Sequence, residues 1–198
     1  MQKGWTGSKA TTWAILGASN HAIEERERND YYATDPKAIP LLLNEESFAD
    51  IIVEPACGEG HLSKALESAG KTVISSDIIN RGYGSTSNFF ERTEPYKNGV
   101  DLITNPPYSK AMEFAEHGMD LLSHGQKMAL FLKIQFLESE KRRKLFEKYP
   151  PKTVYVFTHR ILCAKNGEFE RFTSSATCYC WFVWQKGFKG DPIIKWIN

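Results

Sequence analysis

Ile51-Ile52-Val53-Glu54-Pro55-Ala56-Cys57-Gly58-Glu59-Gly60 is the stretch that decides the fold. Ile51 to Val53 form a short apolar, β-branched run, which reads as a buried strand. The proline and two glycines that follow close it with a tight turn. Leu62, Ala65, Leu66 and Ala69 then recur at helical spacing, with Gly70 as a stop. Thr72 to Ser76 reads as the next strand, ending on Asp77. Outward from there the alternation continues. Asp35-Pro36 opens a helix carrying Ile39, Leu42 and Leu43, with Pro36 at its first position. Downstream, strands at 102–104, 128–132 and 154–157 alternate with helices at 110–122 and 138–148. The aromatic run 177–184 and the segment 193–197 follow with no helix between them. Such alternation predicts an α/β fold: a mainly parallel sheet with an antiparallel edge, and helices on both faces. Residues 1–30 read as a polar N-terminal extension, and 31–198 as a single domain.

Ligands on sheets of this kind sit beyond the carboxyl ends of the strands. Three candidate sites fall there: Glu54 through Gly60, Asp77, and Asn105-Pro106-Pro107-Tyr108. Gly58 and Gly60 allow close backbone approach to a ligand. Asp77 follows Glu54 by 23 residues, near the spacing of roughly 20 at which an acidic side chain grips ribose hydroxyls. Two consecutive prolines make the Asn105–Tyr108 turn stiff, because neither can continue a helix or donate to a ladder. A stiff turn presents fixed carbonyls, an amide and a tyrosine ring, which suits a flat molecule bearing an exocyclic amine. Ser63 stands where the third glycine of G-x-G-x-x-G would be, which disfavours a nicotinamide cofactor.

Glu54-Pro55-Ala56-Cys57-Gly58-Glu59-Gly60 resembles the cofactor loop of S-adenosylmethionine-dependent methyltransferases. Asn105-Pro106-Pro107-Tyr108 resembles the catalytic motif of their amino-methylating branch, which includes the DNA adenine-N6 enzymes. Tyr31-Tyr32-Ala33-Thr34-Asp35-Pro36 is similar to the segment that precedes the cofactor loop in that family. The resemblance covers about residues 30 to 185 and implies a Rossmann-like class I methyltransferase with S-adenosylmethionine as cofactor. It implies that Glu54, Ala56, Cys57, Gly58 and Gly60 line the methionine portion, with Thr34 and Pro36. Asp77 would hold the ribose and Ile78 the adenine. Asn88-Phe89 stands where the family often has Asp-Phe against that adenine. Asn105, which would also border the cofactor, and the Pro106 carbonyl would accept from the target amine, with Pro107 stiffening the turn and Tyr108 stacking on the base. Compact enzymes of this kind resemble those carried by phages and prophages.

For the substrate side, Gln135 and Phe136, after the strand at 128–132, are candidates for a pocket wall. The polar stretch 158–175, with Arg160, Lys165 and Arg171, reaches over the substrate or forms an ordinary surface loop. The formal charge is only +1 over 198 residues, without the overall basic excess of many nucleic-acid binders. No apolar run approaches the roughly 20 residues of a membrane span. The amino terminus lacks the apolar core of a secretory signal, so a cytoplasmic location is expected. Cys57, Cys163, Cys178 and Cys180 show no metal-ligand spacing, and no metal is expected. The five histidines have no partner pattern. The leading expectation is methylation of adenine in DNA. RNA adenine, a protein glutamine amide, and a catalytically idle cofactor-binding module remain as alternatives. Asn105 argues against cytosine-N4 transfer, where Ser is more usual. Only about a dozen residues follow the last core strand, too few for a target-recognition region, so specificity is low or comes from a partner or a homodimer.

Overall fold

Strands that alternate apolar side chains to both sides need cover on both sides, and the computed structural model of the chain shows that arrangement. It describes residues 32–165 and 177–198, which belong to a unit spanning Tyr31–Asn198. The expected extension, residues 1–30, lies outside the described residues. In chain order come β1 (Tyr32–Thr34), α1 (Ala38–Glu45), β2 (Ile51–Glu54), α2 (His61–Ser68), β3 (Thr72–Asp77) and β4 (Ser85–Thr86). Then follow β5 (Val100–Thr104), α3 (Ala111–Leu121), β6 (Lys127–Lys133) and α4 (Glu140–Lys148). The chain continues with β7 (Thr153–Phe157), β8 (Cys163–Lys165), β9 (Tyr179–Gln185) and β10 (Ile193–Ile197).

Eight strands make one sheet in the order β10-β7-β9-β6-β5-β2-β3-β4. From β6 through β4 all pairings are parallel. β9 runs antiparallel to both neighbours, β6 and β7. The antiparallel strand therefore lies toward the expected end of the sheet but is slotted inside it, and the outermost strand, β10, runs parallel to β7. β1 and β8 form a separate antiparallel ribbon in which Thr34 faces Cys163. The chain starts the main sheet at β2, builds outward to β4, then returns to β5 on the other side of β2. That reversal makes the carboxyl ends of β2 and β5 a switch point, the place where open sheets of this kind take their ligands.

Two-residue periodicity divides the core. Val53, Leu102, Leu130, Leu132, Phe182 and Val154 face one side and pack with Phe114, Ala115 and Met119 of α3 and Leu145 of α4. Ile52, Ile103, Phe131, Trp181 and Tyr155 face the other and pack with Ile39 and Leu42 of α1 and Leu62 and Leu66 of α2. Each fully buried side chain of this size contributes about 1.5–3 kcal/mol. The indoles are also satisfied: Trp181 Nε1 donates to the Ala38 carbonyl and Trp184 Nε1 to that of Tyr149, both at 3.0 Å. At the amino end of β5 the buried Asp101 carboxylate accepts from Ala49 N at 2.7 Å and Lys127 N at 2.6 Å. It ties the end of the sheet opposite the switch point, leaving the carboxyl ends to carry chemistry.

α1 begins at Ala38, not at Pro36, because Asp35 Oδ1 accepts from Lys37 N at 3.0 Å and forms a turn ahead of the helix. Ser139 caps α4 by accepting from Lys141 N at 3.2 Å. No helix among the described residues is long and apolar enough to cross a membrane, and no group of three His, Cys, Asp or Glu there could hold a metal ion.

Candidate active site

Glu54 ends β2 with its carboxyl shut away from solvent, at 1% exposure. It accepts a hydrogen bond from Ser63 Oγ, which also lies 2.6 Å from Ser75 Oγ. Ser63, the residue that breaks the dinucleotide glycine pattern, is thus the partner of the acidic group it follows. Burial pushes the Glu54 carboxyl up to about 8; the Ser63 hydrogen bonds pull it down by less, and the nearby charges of Asp77 and Glu67 add to the rise. The group is mainly protonated at neutral pH. Beside it the Cys57 thiol is pushed up to about 12, by burial first and then by Glu54 and Asp77. It is a packing group, not a nucleophile.

Asp77 at the end of β3 fastens the glycine turn. Its Oδ2 accepts from Gly58 N and its Oδ1 from Ile79 N, both at 2.9 Å, while Cys57 N donates to the Ser76 carbonyl at 2.9 Å. Each carboxylate oxygen retains a second acceptor position. Gly58 and Gly60 hold φ of 55° and 80°, which L side chains rarely adopt. A Cβ on Gly60 would meet the Tyr83 ring at 2.4 Å; this glycine admits a neighbouring side chain. Ile78 is 59% exposed next to Asp77, an apolar surface facing the open end of the sheet.

Asn88 and Phe89 lie at a local turn. Asn88 Oδ1 accepts from Phe90 N at 3.1 Å and its Nδ2 donates to Glu91 Oε1 at 3.2 Å, so the side chain caps a 3-10 turn over Phe89–Glu91. Phe89 is buried, stacked on Phe114 at 4.8 Å and edge-on to His117 at 4.9 Å. Phe90 is the more exposed aromatic of that turn, at 38%.

The Asn105–Tyr108 turn leaves β5 with Pro106 buried and Pro107 partly buried. The Pro107 carbonyl accepts from Lys110 N at 2.8 Å, which starts the 3-10 turn leading into α3. Asn105 Nδ2 donates to Thr34 Oγ1 at 2.9 Å, which orients the amide and leaves its oxygen as an acceptor. Cys163 Sγ lies in the same cluster: 3.9 Å from Asn105 Nδ2, 3.9 Å from Thr34 Oγ1 and 3.3 Å from the Tyr108 hydroxyl. The Tyr108 ring stacks on Tyr179 at 5.9 Å between centroids, and Tyr179 stacks on Phe131 at 5.1 Å. Lys133 Nζ lies 4.8 Å from the centre of the Tyr108 ring. Burial raises the Tyr108 phenol well above its ordinary value and raises the Cys163 thiol. Phenol and thiol are therefore both neutral at physiological pH.

The structure brings Thr34, Asn105 and Tyr108 together around Cys163, and sets Glu54 within electrostatic reach of Asp77, which holds Gly58. Ala56 is partly buried against the core, and Pro36 is exposed ahead of α1. Phe136, expected at a pocket wall, packs into the core. It is buried in the core against Phe146, Phe182 and Trp184, because the turn 134–137 rolls it inward. Gln135 is exposed on that turn, and Arg160 is exposed after β7. Lys165 pairs its backbone with Tyr32; the Lys165 side chain and Arg171 lie outside the described residues. Sequence reasoning missed Cys163, Tyr179, Lys133 and the Ser63–Glu54 bond. Lys133 had a signal, a lone cation closing the otherwise apolar strand Met128–Leu132. Cys163 had none.

No protein-family model matches the sequence, and no curated protein matches it. Solved structures do match in fold. A predicted O-methyltransferase, protein Atu636 from Agrobacterium tumefaciens, is 11% identical with a TM-score of 0.59, covering 82% of this chain and 85% of that one. A SAM-dependent O-methyltransferase from Thermotoga maritima is 12% identical with a TM-score of 0.52, covering 85% and 71%. The M protein of the type I restriction enzyme EcoKI is 16% identical with a TM-score of 0.54, covering 82% of this chain and 45% of that one. The fold is that of Rossmann-like class I methyltransferases.

Proposed function

We propose that the chain transfers a methyl group from S-adenosylmethionine to the exocyclic amine of adenine in DNA, with residues 31–198 as the transferase unit. The observation that carries this reading is the orientation of Asn105. Its amide nitrogen is committed to Thr34, so its oxygen is offered as an acceptor at the switch point, one short turn from Tyr108. The cofactor is tested against the residues by Glu54: a buried carboxyl near 8 ionises readily when a cation comes against the loop that covers it. The sulfonium cofactor carries such charge, Asp77 offers acceptor positions for ribose hydroxyls, and Ile78 offers an apolar surface for adenine.

When bound, S-adenosylmethionine supplies a methyl group made electrophilic by the sulfonium. The protein's part is to prepare the amine. Aromatic conjugation ties up its lone pair; Asn105 Oδ1 and the Pro106 carbonyl would accept its two N–H bonds and favour a tetrahedral nitrogen. The lone pair so freed would be presented to the sulfonium methyl, the departing thioether keeping the electron pair of its former bond to carbon. The surplus proton leaves to solvent. Positioning and electrostatics carry most of such a barrier. This agrees with neutral Tyr108 and Cys163, neither of which is an ionised base. In a duplex the amine is out of reach, so the base would be turned out of the stack against Tyr108.

The test is transfer of labelled methyl to double-stranded DNA, single-stranded DNA, RNA and protein, beside Asn105→Ala. Label recovered as N6-methyladenine in DNA, and absent with the variant, supports the reading. Label in RNA adenine or a glutamine amide keeps the chemistry and replaces the substrate. Cofactor binding without any transfer replaces it with a binding module.

A further inference from the structure

Lys133 closes β6, a strand otherwise buried from Met128 to Leu132, and it stands exposed at the carboxyl end of the sheet. Its register partner on β9 is Tyr179, so the two side chains leave the same face of the sheet and both reach Tyr108. The other lysines with a carboxylate at hand show the contrast. Lys127, at the opposite end of the same strand, pairs with Glu46; Lys110 pairs with Glu113 at 3.2 Å, Lys71 with Asp50 at 3.3 Å and Lys148 with Asp120 at 3.5 Å. Among the described residues Lys133 has no carboxylate partner; its ammonium lies against the Tyr108 ring and within electrostatic reach of the Cys163 thiol. An exposed ammonium against a tyrosine face is weakly held, whereas a charge-assisted hydrogen bond to a phosphate oxygen is stronger.

We propose that Lys133 binds the phosphate of the nucleotide whose base stacks on Tyr108. This rests on the functional reading above and deepens it. A peptide glutamine carries no phosphate, so an unneutralised lysine at the tyrosine selects a nucleotide over a protein amide. The contact is to the backbone and reads no sequence, in keeping with a chain whose cation at this position stands alone.

The experiment measures binding and transfer separately. A fluorescent single-stranded DNA oligonucleotide containing adenine is titrated with wild type, Lys133→Ala and Lys133→Arg across a salt series, by anisotropy; methyl transfer is then measured on the same oligonucleotide. The side chain is exposed, and urea midpoints establish that the variants are folded. Lys133→Ala should weaken binding about tenfold at low salt and shrink the salt slope by about 0.7, the value for one phosphate contact on a single strand. Lys133→Arg should keep most of both. In transfer, the larger part of the alanine variant's loss should fall on KM. Wild-type transfer to DNA with unchanged affinity and slope in Lys133→Ala overturns the phosphate contact alone. A wild type that neither binds nor methylates nucleic acid overturns the contact and the functional reading together.

Discussion

Glu54→Gln isolates the electrostatics of the glycine loop. In the folded chain burial holds this carboxyl at about 8, against an ordinary value of 4.5. The folded state therefore keeps a proton that the unfolded state gives up. Where the unfolded state binds fewer protons, stability falls as pH rises. The contribution is fully present below about 4.5, is lost progressively up to about 8, and is flat beyond. Each pH unit is worth about 1.4 kcal/mol, so an interval of about 3.5 units gives a loss on the order of 5 kcal/mol. Gln has the same shape, can still accept from Ser63, and does not titrate. Other groups titrate alike in both proteins, so the difference between them reports this carboxyl. The assay is urea unfolding at half-unit steps from pH 5 to 9. At pH 5 the two proteins should agree within about 1 kcal/mol, the worth of one altered neutral hydrogen bond. By pH 8.5 the variant should be the more stable by several kcal/mol. A difference that stays constant across the range would refute the raised value, and with it the claim that the glycine loop holds a neutral acid. A second reading follows from the same variant. If a cationic cofactor ionises Glu54, binding to wild type near pH 7 releases a proton and tightens as pH rises toward 8. Calorimetry in buffers of different ionisation heat detects that release, which Glu54→Gln should lack.

Thr34→Val removes the acceptor that orients Asn105, leaving a partly buried amide nitrogen without its 2.9 Å partner. The cost of about 1–3 kcal/mol should appear as a fall in kcat of tenfold or more, measured by single-turnover transfer. Gly84→Ala and Gly82→Ala separate backbone strain from collision. Gly84 has φ of 70° and its Cβ would stand 2.8 Å from the Ser75 carbonyl, whereas Gly82 has φ of 84° and open space. The first should cost about 2–4 kcal/mol and the second about 1 kcal/mol in urea unfolding. Phe136→Ala should cost about 3–5 kcal/mol of stability as a core deletion. A variant of normal stability with a raised KM would support the expected place of Phe136 at a pocket wall.

What was legible in the sequence was whatever depends on neighbours in the chain. Ile51–Val53, Thr72–Ser76 and Met128–Leu132 are strands because apolar runs of that length bounded by turn residues have few other solutions. They lie within β2, β3 and β6. The helices 110–122 and 138–148 shorten to Ala111–Leu121 and Glu140–Lys148 once their caps are fixed. Short β1, β4 and β8 were not legible. Two or three residues carry no period, and their pairing is decided by where the sheet brings them.

That limit falls hardest on the site, because its chemistry is assembled across the longest separations. Thr34 and Cys163 are 129 residues apart and become register partners only through the β1–β8 ribbon. Asn105 is 71 residues from the hydroxyl that orients it. The turn itself is local and stiff, so the motif announces a candidate acceptor. Which way the amide faces is set by a ribbon that belongs to neither β2 nor β5. The same logic bears on Asn88 and Phe136. A motif position fixes a residue's place along the chain, but local hydrogen bonds decide what its side chain does. Asn88 lies beside a free backbone N–H and a Glu three residues on, and it caps. Phe136 lies one turn beyond a strand whose apolar face is unfinished, and it completes that face. Lys133, by contrast, is a cation at a strand end with nothing local to satisfy it. An unmet charge beside a motif's aromatic is therefore better evidence of a substrate than a motif-spaced residue whose bonds are already made.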